Sequence, residues 1–238
     1  ISAAKDYATG TYPNGFIVDF TINDSSAWAA MLFAGRVARI NPEENAGKIK
    51  TGSLNIPDSA AVKIGSTAVE SVSDADLDTL YDKRYISVEK NQVASGYVFN
   101  DDSAIVAPTN DYNNMRFGRV IDNAVRVAFD VYYRELKSEV DVTEGGRLGA
   151  VAEKALEAAI ENAINQRIRG QFSLLKDGTA DVNCLVNPDA VQYAALYADN
   201  GISSPNFNLL NAGQVYLFLK CRPKGCIKTL NVYLGYVA

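Results

Sequence analysis

The chain has 238 residues, a formal net charge of −5, 47% hydrophobic and 21% charged residues, and no histidine. These proportions are those of a folded globular chain and exclude a disordered tail, a collagen-like fibre and a membrane bundle. The longest apolar stretch, Ala27 to Ala34, is far short of the roughly 20 residues a spanning helix needs. With an acidic balance and no dense Lys/Arg run, neither nucleic acid nor direct membrane insertion is expected.

The absence of histidine removes Ser-His-Asp and Cys-His catalysis, the commonest zinc ligand and the usual proton shuttle. Carboxylate, lysine or tyrosine chemistry survives. Cys184, Cys221 and Cys226 are too few for a disulfide framework. Cys221 and Cys226 flank the turn Arg222-Pro223-Lys224-Gly225, where half of a metal site or a redox pair competes with the favoured reading of small strand residues in a reducing compartment. The chain opens at Ile1 without a Met or a signal-peptide pattern, and is expected to be a piece of a longer protein.

In chain order, Ile1 to Gly15 reads as loop. Phe16 to Ile22, rich in β-branched and aromatic residues, predicts a strand. Asn23-Asp24-Ser25-Ser26 supplies cap candidates for a helix over about Ala27 to Ile40. Its first turns are apolar nearly all round, which predicts burial, and Arg36 and Arg39 suit the negative end of its dipole. Residues 41–71 are irregular. Ser73-Asp74-Ala75-Asp76 resembles a capping box ahead of a helix reaching Lys83. Tyr85–Val88 and Tyr97–Phe99 predict strands joined through Asn91 to Gly96, and Ala104–Ala107 predicts another.

From Phe117 to Val140 the apolar residues Ile121, Val125, Ala128, Tyr132 and Leu136 and the charged residues Asp122, Arg126, Asp130 and Arg134 form two stripes at helical spacing. A second helix is predicted from about Leu148 to Arg169. It has an apolar row of Leu148, Ala152, Ala155, Ala159, Ala163 and Ile164 and a polar row of Glu153, Glu157, Glu161 and Asn165. The two helices are expected to bury Ile121, Val125, Ala128, Tyr132 and Leu136 against Ala152, Ala159, Ile160, Ala163 and Ile164. Gly145-Gly146 breaks the chain between them. Ala180–Val186, Val215–Cys221 and Ile227–Val237 predict strands. The fold class is α/β (α+β), a mixed or antiparallel sheet on two long amphipathic helices, with an α/β region over 1–107 and a second region over 108–238.

Candidate chemistry is thin. Gly145-Gly146-Arg147-Leu148-Gly149 opens a helix, where phosphate could sit, but lacks the P-loop Lys-Ser/Thr, so an inter-helix turn is favoured. Asp74, Asp76, Asp78 and Asp82 lack the central glycine and closing glutamate of an EF-hand. No catalytic, cofactor-binding or metal-binding residue is assigned, and no cofactor is expected. The C-terminal strand presents apolar residues on both faces. It reads either as part of the chain's own sheet or as an arm that adds to a neighbour's.

Asp111-Tyr112 with Met115-Arg116-Phe117-Gly118-Arg119-Val120-Ile121-Asp122-Asn123-Ala124 resembles the contractile tail sheath proteins of phages and related injection systems. The closing run Leu217 to Val232, an apolar strand, an Arg-Pro-x-Gly turn and a second strand, is similar to their ending. The resemblance covers about Asp111 to Ala238 and is weak before that. It implies a structural, non-enzymatic subunit that polymerises by arm exchange into a helical tube around an inner tube and contracts to drive that tube through a membrane. The implied arm residues are Ile227, Lys228, Leu230, Val232, Tyr233, Leu234 and Tyr236, with a hinge at Lys224-Gly225. The implied partners are other copies of the chain and an inner tube protein, in a virion tail or the bacterial cytoplasm. An enzyme or ligand-binding domain built on Asp and Tyr clusters, or a capsid or adhesion module, are the alternatives.

Overall fold

A computed structural model describes residues 5–12 and 15–226. The arm expected at Ile227, Lys228, Leu230, Val232, Tyr233, Leu234 and Tyr236 lies outside the described residues. The chain divides into two compact units, the first running to Val120 and taking in Gly225 and Cys226 as well, the second running Ile121–Lys224.

The first unit contains β1 (Thr11–Tyr12), β2 (Thr21–Ile22), α1 (Ser26–Arg39), β3 (Val62–Ile64), β4 (Thr67–Ala68), α2 (Asp74–Asp82), β5 (Val88–Lys90), β6 (Tyr97–Phe99) and β7 (Ile105–Val106). They form small antiparallel sheets: β1 with β7, β3 between β2 and β4, and β5 with β6. Much of the strand expected from Phe16 is extended without a ladder. There Ile86 donates its N–H to Ile17 O and Asp19 donates to Ile86 O, each at 2.8 Å, in a single parallel bridge.

Helix α1 buries Ala29 and Phe33 in a core with Phe20, Leu80, Ile86, Val88 and Phe99, and Phe33 meets Phe99 edge-on at 5.2 Å. The expectation of burial all round fails, because the core lies on one side only: Trp28 is 63% exposed, and Met31, Ala34 and Ala38 share that outer face. Arg36, expected only to suit the negative end of the helix dipole, is buried. It donates Nε to Ala46 O at 3.1 Å and Nη2 to the carbonyls of Lys48 and Gly52 at 3.1 and 3.2 Å, so it shapes the loop that follows. Burial pushes its pKa down. The predicted cap of α2 is present: Ser73 Oγ accepts from Asp76 N–H at 3.2 Å.

Helix α3 (Met115–Tyr132) runs across the boundary between the units. Its first turn rests on Asp102, whose backbone oxygen accepts from Met115 N–H at 2.9 Å and whose Oδ2 accepts from Arg116 N–H at 3.0 Å. A carboxylate there meets orphan amides and the positive end of the helix dipole. Asp101 and Asp102 are both buried, each accepting from Asn45 and Asn114 side chains. Burial, and then the neighbouring Asp101 charge, push the Asp102 carboxyl up to about 6.

The buried face of α3 carries Val120, Ala124, Val127 and Ala128, so of the expected stripe only Ala128 is buried. Ile121 and Tyr132 are half-buried, and Val125 and Leu136 are exposed. One residue of displacement turns a helical face by about 100°. Small Ala124 and Ala128 take the inner side, while Phe129 and Tyr133 stack outside at 5.1 Å. The helix also stops before the expected Val140: Tyr133–Glu135 tighten into a 3-10 turn, and Lys137 takes a φ of +67°.

The rest of the second unit is α4 (Ala150–Ile168), β8 (Val182–Val186), α5 (Ala194–Asp199), α6 (Leu209–Ala212) and β9 (Leu217–Cys221). Strands β8 and β9 pair antiparallel, Val182 opposite Cys221, Cys184 opposite Leu219 and Val186 opposite Leu217. The architecture is the expected α+β mix, with its strands in several small sheets. Ile160 and Ile164 of α4 are fully buried, whereas Ala159 is exposed and Ala152 and Ala163 only half-buried. Large isoleucines fill the inner side, so the alanines do not form a seam with α3. A tie between the helices is polar, Arg167 Nη1 to Asp130 Oδ2 at 3.0 Å.

Candidate assembly interface

Asn187 N–H donates to Tyr216 O at 2.8 Å, and Arg222 N–H donates to Asp181 O at 2.9 Å. Antiparallel alternation from these pairs directs the amides of Val182, Cys184 and Val186 away from β9, and those of Leu217 and Leu219 away from β8. The β8 side is occupied. Cys184 N–H donates to Glu161 Oε1 at 2.8 Å, and Val186 N–H donates to Glu157 Oε1 at 2.9 Å. Ala180 N–H donates to Asn165 Oδ1 at 2.6 Å, Asn187 Nδ2 donates to Glu153 Oε1 at 3.4 Å, and Val182 N–H turns back to Ala180 O.

The match has a geometric cause. Four residues of helix rise about 6 Å, and two residues of strand rise about 6.6–6.8 Å. An i, i+4 row therefore keeps step with alternate amides of a strand running the opposite way. This row, Glu153, Glu157, Glu161 and Asn165, is the polar row of the sequence reading. A sign of its role is three glutamates and an asparagine at successive i+4 positions directly beside Ile160 and Ile164. On the outer edge of β9 the amides of Leu217 and Leu219 have no partner among the described residues.

Behind the strands, Cys184 is buried, and burial, followed by the Glu161 and Glu157 charges, pushes its thiol up to about 12. Burial of this kind disfavours the thiolate, the nucleophilic form of cysteine. Phe218 of β9 meets Tyr197 edge-on at 5.0 Å, and Tyr197 donates its hydroxyl to Pro188 O at 2.8 Å. Arg147 lies over the Phe207 ring at 4.7 Å and donates to Asn187 O and Glu153. The Gly145-Gly146 segment is a turn: Gly146 has a φ of +73°, donates to Thr143 O at 2.8 Å, and a Cβ there would lie 2.7 Å from Asn208 Oδ1.

The turn after β9 is fastened down. Ser173 N–H donates to Arg222 O at 2.9 Å, Ser173 Oγ to Pro223 O at 3.2 Å, and Lys224 N–H to Gln171 O at 3.1 Å. Arg222 also pairs with Asp181 at 3.0 Å. Of the two expected hinge residues, Lys224 is tied, whereas a Cβ at Gly225 would meet open space. No helix among the described residues is long and apolar enough to cross a membrane.

Small antiparallel sheets, a long helix laid along a strand edge and a fastened exit turn together make up a fold that is also found in helical sheath and baseplate chains of the anti-feeding prophage. Specifically, the chain is similar to a chain of the anti-feeding prophage helical sheath in its contracted state, with a TM-score of 0.63 and 12% identity, covering 98% of this chain and 59% of that one. It is also similar to a chain of the anti-feeding prophage baseplate, with a TM-score of 0.55 and 13% identity, covering 88% of this chain and 49% of that one. It thus spans about half to three-fifths of the length of these structures. No family model and no curated protein matches it.

Proposed function

We propose that this chain is the structural subunit of a contractile tail sheath, polymerising around an inner tube and shortening to drive that tube through a membrane. The observation that carries the reading is the likeness in fold over 98% of the chain to a helical sheath in its contracted state. The role needs no catalytic group, cofactor or metal. Its partners are other copies of the chain and an inner tube protein, with no nucleic acid and no direct membrane insertion of the chain. The assembled particle is a virion tail or its equivalent in the bacterial cytoplasm.

In this reading residues Ile227, Lys228, Leu230, Val232, Tyr233, Leu234 and Tyr236 form a strand on a neighbouring copy. The receiving edge is that of β9 at Leu217 and Leu219. Gly225 is the pivot, directly beyond the fastened Lys224. About five new backbone hydrogen bonds at roughly 0.5–1.5 kcal/mol each are a modest gain per subunit, repeated around a ring and along a tube. Deleting Leu230 to Ala238 from the full-length protein tests the arm. The expected product is a folded, soluble subunit that builds no tubes. Tubes of normal length refute the exchange, and unfolding assigns the strand to its own domain.

A further inference from the structure

We infer that Glu157 and Glu161 stand in for a β-strand, closing the β8 edge of the β8–β9 ribbon so that a strand from a second copy adds only at β9. That a second copy supplies the strand rests on the sheath reading; the closure of β8 does not. An incoming strand would have to offer carbonyl oxygens to the amides of Cys184 and Val186, and both amides are already held by carboxylate oxygens at 2.8 and 2.9 Å. Hydrogen bonds to an ionised acceptor are stronger than those to a neutral carbonyl. A carbonyl approaching this edge would also meet two negative charges lying in the plane of the ribbon. The Glu157 side chain is held from behind by Lys154, and Glu153 by Arg147 at 3.3 Å. The row is thereby set in position. Sheet proteins close exposed edges with charges or cover them with helices; here one helix supplies both devices.

The two edges consequently differ. A ribbon open on both sides could grow either way and add strands without limit, whereas one open only at Leu217 and Leu219 has a single direction of growth. The carboxylates thus set specificity by exclusion.

The test uses the full chain as wild type, Glu157→Ala/Glu161→Ala and Glu157→Gln/Glu161→Gln, since glutamine keeps the acceptor oxygen. Amide hydrogen exchange at Cys184 and Val186 is read on the monomer, and self-association by sedimentation. In the alanine pair both amides should exchange about tenfold faster or more, with Asn183 and Leu185 still protected, and larger species should appear. The glutamine pair, which keeps the acceptor oxygens but not the charge, should fall between wild type and the alanine pair. A folded alanine pair with unchanged exchange and unchanged sedimentation overturns the inference. Should that pair fail to fold, Glu161→Ala alone must speed exchange at Cys184 and spare Val186; loss of that split overturns it equally. A wild type that never forms tubes, beside an alanine pair that newly associates, retains the closure and removes the sheath reading. Wild-type tubes with an indifferent alanine pair do the reverse.

Discussion

The amide of Val186 donates to Oε1 of Glu157 at 2.9 Å, a helix side chain holding the position that a strand carbonyl would take. The contact explains why a glutamate can be buried on α4: its oxygen replaces the hydrogen bond that both groups would otherwise make to water. It also orients α4, because the same rotation that brings Glu157 and Glu161 to the strand edge brings Ile160 and Ile164 into the core.

That orientation separates two substitutions. Ile160 is fully buried, so Ile160→Ala should cost about 2–5 kcal/mol through lost contact and a residual cavity. Val125 is 54% exposed, so Val125→Asp should change stability by no more than about 0.5 kcal/mol in the isolated chain. Chemical denaturation of the two variants checks both. A costly Val125→Asp would restore the face expected from the sequence.

Arg36 should not tolerate lysine. Its Nε and Nη2 reach three carbonyls on the loop after α1, a fork an ammonium cannot reproduce. Arg36→Lys should lower stability by about 1–3 kcal/mol. A variant as stable as wild type in a urea melt would show that the loop is held by other contacts.

Stability should rise on mild acidification. Burial raises the carboxyls of Asp19 and Glu89 and pushes Asp102 up to about 6. The folded chain therefore binds these protons more tightly than the unfolded one, and is favoured as pH falls through that range. Glu44 and Glu70, held low by hydrogen bonds from Lys48 and Tyr97, act oppositely: their contribution is lost once they protonate in the folded chain. The melting temperature should climb from about pH 7.5 to about pH 5 and drop below about pH 4. A monotonic fall from pH 7.5 downwards would contradict this account of the Asp102 site.

The cysteines should differ in reactivity. Cys226 is exposed and Cys184 buried, with its thiol pushed up to about 12. A maleimide at pH near 8 should modify Cys226 in the native chain and Cys184 only after unfolding, as peptide mass mapping would report. Native labelling of Cys184 would mean that α4 lifts from β8.

Element existence was legible in the sequence, and orientation was not. Ser73 and Asp76 announced α2, helical spacing announced α3 and α4, and the runs ending at Val186 and Cys221 announced β8 and β9. The face of α3 was misread because apolar residues occur on both sides. Ile121, Val125 and Leu136 make as regular a stripe as Val120, Ala124 and Val127, and only packing chooses the smaller residues for the inside. The Glu153, Glu157, Glu161 and Asn165 row read only as a polar stripe, with no partner, for a related reason. Carboxylates seek water unless donors are supplied, and donors to this row, the amides of Ala180, Cys184 and Val186, come from a segment distant in the chain. Arg36 followed the same rule: its acceptors are backbone oxygens, which no side-chain pattern reveals.

Electron microscopy of the full-length protein, expressed alone and purified, tests the central claim most directly. The account predicts hollow tubes of uniform diameter with a helical repeat, assembled without an inner tube or any other component. A protein that stays monomeric at every concentration and salt, or that closes into shells, would contradict it.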